Sequence, residues 1–580
     1  GAPPEKPPPT KKTKKKKKKN ERTDVEKAKE NDEPSTRVPA AAEKEATQRA
    51  HEEEEEARFW AARLRKRQKD DSQKEQNFSS AVFNWTAAQH RVRHVLATST
   101  AAYAERDAER ALRSALRSRD RAVWVVDGKI YVDRAFLGQM KHELHLRFLR
   151  SVLANARRVA EVTTNDAQMK RAAAFASKRG TLVYKYESMA SGPDDCDADL
   201  PTLVIAKKYG LEQCGVMIPN PYFDDLQMTW KPDFDRLLAL GLKKTWDQRN
   251  PRVFWRGKVR QEDKCGRDAG NVARVSASAL TLLHAASFDV RPVDCETRRR
   301  ISKECDAQYA VRDVERRAQA SRCKAVKGQF VTHGRFADYR FLLDLPGSTS
   351  GSYSRNLNHL WLLGGVVLIW TGPLLQDAGA AQWYTPALED GHTHVVVDRD
   401  TAQNAVAGIS NDANERARLV DNARGVAERF LCPDCIVRYF LALVRDLAAH
   451  DTGLYRLLND DAATNRRKAI LRDARCDKLH LVQVVGHHPT SGGRKAHTTW
   501  KVATRPVDST AVCQLLAKGG GVGPNQHGGW STDDTTSSRD DPGGGHKKKH
   551  ANGKNATPVV VVPPQPSEEE TATEAETTTT

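Results

Sequence analysis

Large apolar residues are sparse over residues 1–57 and again after about residue 506, and between these ends they fall into two rhythms. From about Ala57 to Arg121, Ala and Leu recur at helical spacing among Arg and Glu, as in "AAYAERDAERALRSALRSRD", which predicts helices. "RAVWVVDGKIYVD" then predicts a β-hairpin turning at Asp127-Gly128. A long helix over "RAFLGQMKHELHLRFLRSVLANARRVAEV" follows, then a strand "GTLVYKYE", a loop rich in Gly and Asp, and a strand "PTLVIAKKY". After Trp246 the alternation resumes, with "RVFWRGKV" as strand, "RVSASALTLLHAAS" as helix and "DYRFLLDL" as strand. "RNLNHLWLLGG" reads as a helix closed by Gly364-Gly365, followed by the strands "VVLIW" and "THVVVD" and by helices from Thr401 to His450.

Strands separated by helices of ten or more residues predict an α/β fold with parallel sheets, two in succession. The chain divides accordingly. Residues 1–57 form a Lys/Glu/Pro-rich disordered tail, 58–121 a helical extension, 122–245 and 246–450 two Rossmann-like domains, 451–505 a C-terminal extension and 506–580 a disordered low-complexity tail.

Charge changes this picture little. Lys and Arg number 94 against 75 acids, a formal charge of +19, and eight lysines fall within Lys11–Lys19. Such a run reads first as a solvated arm and next as an electrostatic arm for nucleic acid. The rest of the chain shows no aromatic–basic recognition module, so specific nucleic-acid binding ranks last. The apolar run Leu360–Trp370 is too short to cross a bilayer and reads as a buried strand. A membrane anchor is not visible and stays open, because the chain begins at Gly1 rather than Met. Sequons at Asn77, Asn84 and Asn555 permit a secretory life. Cys432-Pro-Asp-Cys435 has redox or zinc spacing without a second pair at a partner distance, so it reads as a local disulfide or as two thiols at a helix start.

The candidate chemistry lies at strand ends. "STSGSYS" follows the strand "DYRFLLDL" and opens the helix of Arg355. Small residues there let a phosphate approach backbone N–H groups, the helix end favours negative charge, and Arg355 offers a planar fork for phosphate oxygens. The competing reading is ordinary helix capping by Ser352 or Ser354 with a surface Arg. Arg256 and Gly257 end the aromatic strand "VFWRG", where ligands bind in open α/β sheets, and Arg274 opens the next helix. A snorkelling surface Arg is the alternative for Arg256.

In this order, "VFWRG", Arg274, "LLDLPGSTSGSYSRNLNHLWLLGGVVL" and "WYTPALEDGHTHVVV" resemble glycosyltransferase family 90, the capsule-associated and protein O-glucosyltransferase (Rumi-like) family. "LPTLVIAKKYGLEQCGVMIPNPYF" extends the resemblance upstream, over roughly residues 180–445. It implies a GT-B architecture, with residues 122–245 on the acceptor side and residues 246–450 binding a nucleotide sugar. The implied reaction is inverting, metal-independent transfer from a UDP-sugar donor, UDP-glucose or UDP-xylose, to a hydroxyl of a protein Ser/Thr or a glycan. No cofactor or metal is implied, and the compartment would be the secretory lumen, endoplasmic reticulum or Golgi.

Carried over by position, Arg256, Gly257 and Arg274 lie beside the donor, and Ser350, Gly351, Ser352, Tyr353, Ser354, Arg355 and Asn356 wrap its phosphates. Counting back from Gly364, the family's phosphate Arg falls on Asn356, one residue past Arg355. Glu187 stands nearest the family's catalytic base, with Asp194, Asp195, Asp197 and Asp199 competing in the following loop. Since the family has Asp at that position, a catalytically inactive glycan-binding or scaffold protein on the same fold is the alternative.

Overall fold

Asp127 and Gly128 have φ of 48° and 70°, the left-handed pair that a two-residue hairpin turn requires. They join strands β1 (Ala122–Val126) and β2 (Lys129–Asp133), which pair antiparallel with Val126 opposite Lys129. The computed structural model describes residues 83–103, 106–163, 167–176, 180–187, 199–208, 215–260, 269–296, 323–347, 353–371, 380–449, 453–490 and 499–519. Both expected tails, including the Lys11–Lys19 run, lie outside the described residues, which all belong to one compact unit within residues 1–525.

Helices α1 (Trp85–Ala101) and α2 (Ala108–Arg117) precede the hairpin, and Asp107 caps α2 by accepting from the N–H groups of Glu109 and Arg110. The long helix expected from Arg134 begins later, as α3 (Met140–Thr163), because Gly138 at φ 93° breaks the chain after a short 3₁₀ turn. Then come α4 (Ala167–Ala174), β3 (Thr181–Glu187), β4 (Thr202–Val204), β5 (Lys207–Lys208), β6 (Val216–Met217) and α5 (Lys231–Lys243). The second half contains β7 (Asn250–Arg260), α6 (Ala269–Leu283), β8 (Phe288–Glu296), β9 (Tyr339–Asp344), α7 (Leu357–Leu360), β10 (Val366–Trp370), β11 (Ala380–Ala381) and β12 (Val395–Val397). Helices α8 (Ala402–Asn411), α9 (Ala413–Val426) and α10 (Pro433–Ala449) follow, and the chain continues through α11 (Gly453–Asn459), α12 (Thr464–Asp473), β13 (Leu481–Thr490), β14 (Thr499–Pro506) and α13 (Ser509–Lys518).

Two principal sheets result. The second is parallel throughout, in the order β12-β10-β9-β7-β8. Counted from its first strand this is the 2-1-3-4-5 order of a doubly wound sheet. Its strands alternate within a continuous apolar run: Val253, Trp255, Phe341, Leu343, Val366 and Leu368 share one core with Ala277 and Leu280 of α6 and Val406 and Leu419 of α8 and α9. Phe254 on the opposite face packs on Phe336 and Tyr339, so both faces are covered, as a parallel sheet demands.

The first sheet departs from the Rossmann-like expectation. Its order is β14-β13-β2-β1-β3-β4-β6, and only β3, β4 and β6 run parallel. A two-residue turn can join strands only in antiparallel sense. The strands of the C-terminal extension then add to the free edge of β2, with Val482 opposite Val132. The architecture is therefore mixed α/β, with one parallel and one largely antiparallel sheet.

Candidate functional site

In a 2-1-3-4-5 sheet the strand order reverses between the first and third strands, and a crevice opens beyond their carboxyl ends. Here those strands are β7 and β9, registered with Phe254 opposite Leu342, so Arg256 and Asp344 stand at this point. Side chains from both ends and from the loop after β9 meet there.

Arg256 is not a free cation. Its guanidinium donates to both carboxylate oxygens of Asp289 on β8, at 3.0 and 2.9 Å, and to the Asp289 carbonyl at 2.6 Å. Arg291 Nε donates to the same carboxylate at 2.7 Å, and the Tyr339 hydroxyl does so at 3.2 Å. Burial alone would push the Asp289 carboxyl up, but the bonds and charge of Arg256 outweigh it and hold the group below the usual carboxylate range. The guanidinium also lies 4.3 Å from the centre of the Phe254 ring. Beside it, a Cβ on Gly257 would fall 2.4 Å from the Trp255 indole, which excludes any side chain.

Arg274, on α6, donates to the carbonyl of Pro346 at 2.9 Å and to that of Lys258. It thereby ties the end of β7 to the turn after β9. Asp344 is buried and accepts a hydrogen bond from the Ser354 hydroxyl. Burial raises its pKa to about 7, against the lowering effects of the Ser354 bond and the Arg274 charge. Ser350, Gly351 and Ser352 lie outside the described residues.

The rest of the loop reaches the first sheet. The Tyr353 hydroxyl donates to Asn220 Oδ1 at 3.1 Å, and the exposed Arg355 guanidinium lies 4.4 Å from the centre of the Tyr222 ring. Among the described residues no carboxylate pairs with Arg355. Asn220 and Tyr222 belong to a 3₁₀ turn just after β6, which Asn220 caps by accepting from the Tyr222 N–H at 2.9 Å. Asn356 turns inward: its amide donates to the Arg256 carbonyl at 3.3 Å, and its oxygen stands 3.3 Å from His333 Nε2. His333 stacks on His359 with ring centres 3.9 Å apart. Arg355 and Asn356 thus differ in environment, the first exposed and the second half-buried.

The helix expected from Arg355 to Leu363 is a single turn, Leu357–Leu360. So short a run aligns few peptide dipoles and has little positive field at its start. Gly364, at φ 68°, ends the segment where its backbone meets Gly241. A Cβ there would fall 2.3 Å from the Gly241 carbonyl oxygen.

Glu187 ends β3 on the first sheet, near this seam. Its Oε1 accepts from Arg121 at 2.5 Å and stands 3.3 Å from Lys185 Nζ. Tyr186, beside it, is buried and stacks on His145; burial pushes its hydroxyl well above the usual range, helped by nearby Tyr353 and Tyr222. Asp199 is paired with Arg110 at 2.5 Å, and Asp194, Asp195 and Asp197 lie outside the described residues. His392 stands 3.0 Å from a nitrogen of Arg418, and His394 is buried. Among the described residues, no group of three His, Cys, Asp or Glu side chains could hold a metal ion.

Sequence reasoning singles out Arg256, and Asp289 and Tyr339 fall within the stretches that resemble the family, but it does not show that Asp289, Arg291 and Tyr339 gather around Arg256, because they are remote in sequence. Asp344 was likewise missed. Asn220 and Tyr222 had a signal, the "NPYF" stretch.

No protein-family model matches the chain, and no curated protein matches it. Among solved structures it is similar to a glycosyltransferase from Rickettsia africae ESF-5, at 11% identity and a TM-score of 0.26, over 51% of this chain and 81% of that one. A likeness at that level leaves activity to be argued from the residues.

Proposed function

We propose that the chain is an inverting glycosyltransferase that moves a sugar from a nucleotide donor to an acceptor hydroxyl. The donor is a UDP-sugar, UDP-glucose or UDP-xylose, and the acceptor a protein Ser/Thr or a glycan. The reading takes its chemistry from the family-90 resemblance and a GT-B-like arrangement of two sheet-bearing halves. One observation carries it: Arg355, exposed on the loop beyond the switch point, rests on Tyr222 of the opposite half at 4.4 Å. A guanidinium held on an aromatic face, with no carboxylate partner among the described residues, suits a diphosphate.

The residues then divide their roles. Arg355 faces the diphosphate, while Arg256, neutralised by Asp289, and Arg274, spent on carbonyls, shape the crevice wall. Asn356 braces the loop through the Arg256 carbonyl. The acceptor oxygen attacks the anomeric carbon as the bond to the diphosphate breaks. UDP leaves with the electron pair, and the acceptor proton passes to Glu187 or a neighbouring carboxylate. Arginine, with no metal, offsets the charge developing on the leaving group. Disulfides among the described residues, such as Cys295–Cys323 and Cys476–Cys513, support a lumenal compartment.

Calorimetry with UDP tests the reading. Binding by the parent and its loss in Arg355→Ala are expected; a parent that binds no UDP would sink it. The alternative, a catalytically inactive glycan-binding protein, is favoured by the ion pairs of Glu187 with Arg121 and Lys185, which occupy its Oε1. Turnover of UDP-glucose or UDP-xylose that falls in Glu187→Gln supports the enzyme, whereas UDP binding without turnover supports the alternative.

A further inference from the structure

The chain passes back from the second sheet to the first between α9 and α10. α9 packs on β10, whereas α10 packs on α3 and α4. Between them lie a π-helical turn over Ala427–Leu431 and then Cys432, in extended conformation at the N-cap of α10. Cys432 is joined to Cys435 by a disulfide.

Four observations set this pair apart from a structural cross-link. First, the Cys435 backbone N–H donates to Cys432 Sγ at 3.0 Å, so the sulfur takes the place of a capping oxygen. Released as a thiolate, Cys432 would keep that bond and sit in the positive field of a 17-residue helix. Second, Arg438, one turn along, donates to Cys435 Sγ at 3.1 Å, a cation beside the other sulfur. Third, access is unequal: Cys432 is half-buried, whereas Cys435 is 4% exposed. Fourth, the two residues are only 3 apart, against 28 for Cys295–Cys323 and 37 for Cys476–Cys513. The smallest loop restrains the unfolded chain least, so stapling is the least of what this bond can contribute. Of the acids nearby, Asp434 is taken up by Arg158 of α3 at 2.6 Å, and Glu428 brings its carbonyl oxygen to 3.2 Å from Cys435 Sγ; Arg93 of α1 adds positive charge near Arg438.

We propose that Cys432–Cys435 is a thiol–disulfide exchange site that accepts two electrons from a dithiol. A thiolate of the dithiol attacks the accessible Cys432 sulfur, the Cys432–Cys435 bond breaks, and Cys435 leaves as a thiolate stabilised by Arg438. The second thiolate of the reductant attacks its own sulfur in the mixed disulfide, closing the oxidised dithiol and releasing Cys432 as a thiolate held by the helix end. Each released thiolate takes a proton from solvent according to its pKa. The proposal is independent of the glycosyltransferase reading.

Native full-length chain is titrated with dithiothreitol, quenched in acid and alkylated, and each cysteine is assigned by peptide mass spectrometry. Cys432 and Cys435 are expected to label at a dithiothreitol concentration at least ~10-fold below that needed by Cys295–Cys323 and Cys476–Cys513, about one decade in the exchange equilibrium. A parallel titration with glutathione, a monothiol, traps the first step, with the adduct expected on Cys432. Reduction only together with the other two pairs, or a glutathione adduct on Cys435 instead, overturns the assignment. Both arms use the unaltered protein, so neither depends on a variant that folds.

Discussion

Tyr353 and Asn220 come from opposite halves of the molecule, 133 residues apart, and the tyrosine hydroxyl donates to the asparagine oxygen at 3.1 Å in a buried contact. The bond fixes the loop that leaves the parallel sheet against the turn that leaves β6. It brings with it the neighbouring meeting of Arg355 and Tyr222. Because Asn220 Oδ1 also accepts from the Tyr222 N–H, removing the hydroxyl leaves it one partner. Tyr353→Phe is therefore expected to lower stability by about 1 kcal/mol, the net worth of a neutral hydrogen bond. A shift in urea midpoint at unchanged slope measures it.

Among the described residues Asp289 pairs with both Arg256 and Arg291, and it and Arg256 are only 10% and 11% exposed. Removing it strands a buried guanidinium. Asp289→Ala is expected to cost about 3–5 kcal/mol, the range for breaking a buried pair from one side. Thermal unfolding of the variant reads this, and a loss below ~1 kcal/mol on that scale would mean the pair is solvated.

Acid should destabilise the protein through the buried His145 and His394 and the half-buried His359. Burial lowers His145 and His359 to about 3 and His394 to about 4, from the usual 6.5 of a free imidazole. The unfolded chain then binds protons that the folded one does not, so stability falls as pH drops below 6.5. Asp344 works the other way: with its pKa raised to about 7, the folded carboxyl holds a proton that the unfolded one releases above 3.8, so it favours folding at low pH. Three such histidines outweigh one such aspartate, each worth up to about 1.4 kcal/mol per pH unit. Urea midpoints between pH 7 and pH 4 should decline, and a flat profile would contradict the burial of these groups.

Asp344→Asn isolates the opposing group. The amide keeps an acceptor for Ser354 without a charge to bury. Relative to the parent, the variant should gain stability at pH 8, where Asp344 must ionise in place, and lose that advantage at pH 4. Parallel melts at the two pH values decide it.

Gly364→Ala should destabilise by at least about 2 kcal/mol. An L-residue at φ 68° costs about 1–2 kcal/mol. The new Cβ would also press on the Gly241 carbonyl at 2.3 Å. An exposed, unconstrained glycine would show no such loss.

Much of the fold follows from local pattern. The Asp127-Gly128 turn, the strand Thr181–Glu187 and the parallel strands of residues 250–397 are legible because they are set by backbone preference and by alternation of apolar residues. The small-residue loop before Arg355 and the Arg256-Gly257 strand end were legible as candidates for the same reason. Sequence alone could not show that β13 and β14 complete the first sheet at the edge of β2, or that the helix after Arg355 stops after one turn. Nor could it show that Asp289 claims Arg256, or that Tyr222 receives Arg355. Each of these depends on which distant segments share a surface, a choice made by the whole core and by close approaches such as Gly364 against Gly241. Local sequence determined where charged and small residues stand along the chain. Tertiary packing decided which charges are neutralised, which stay exposed, and which side chains from the two halves meet.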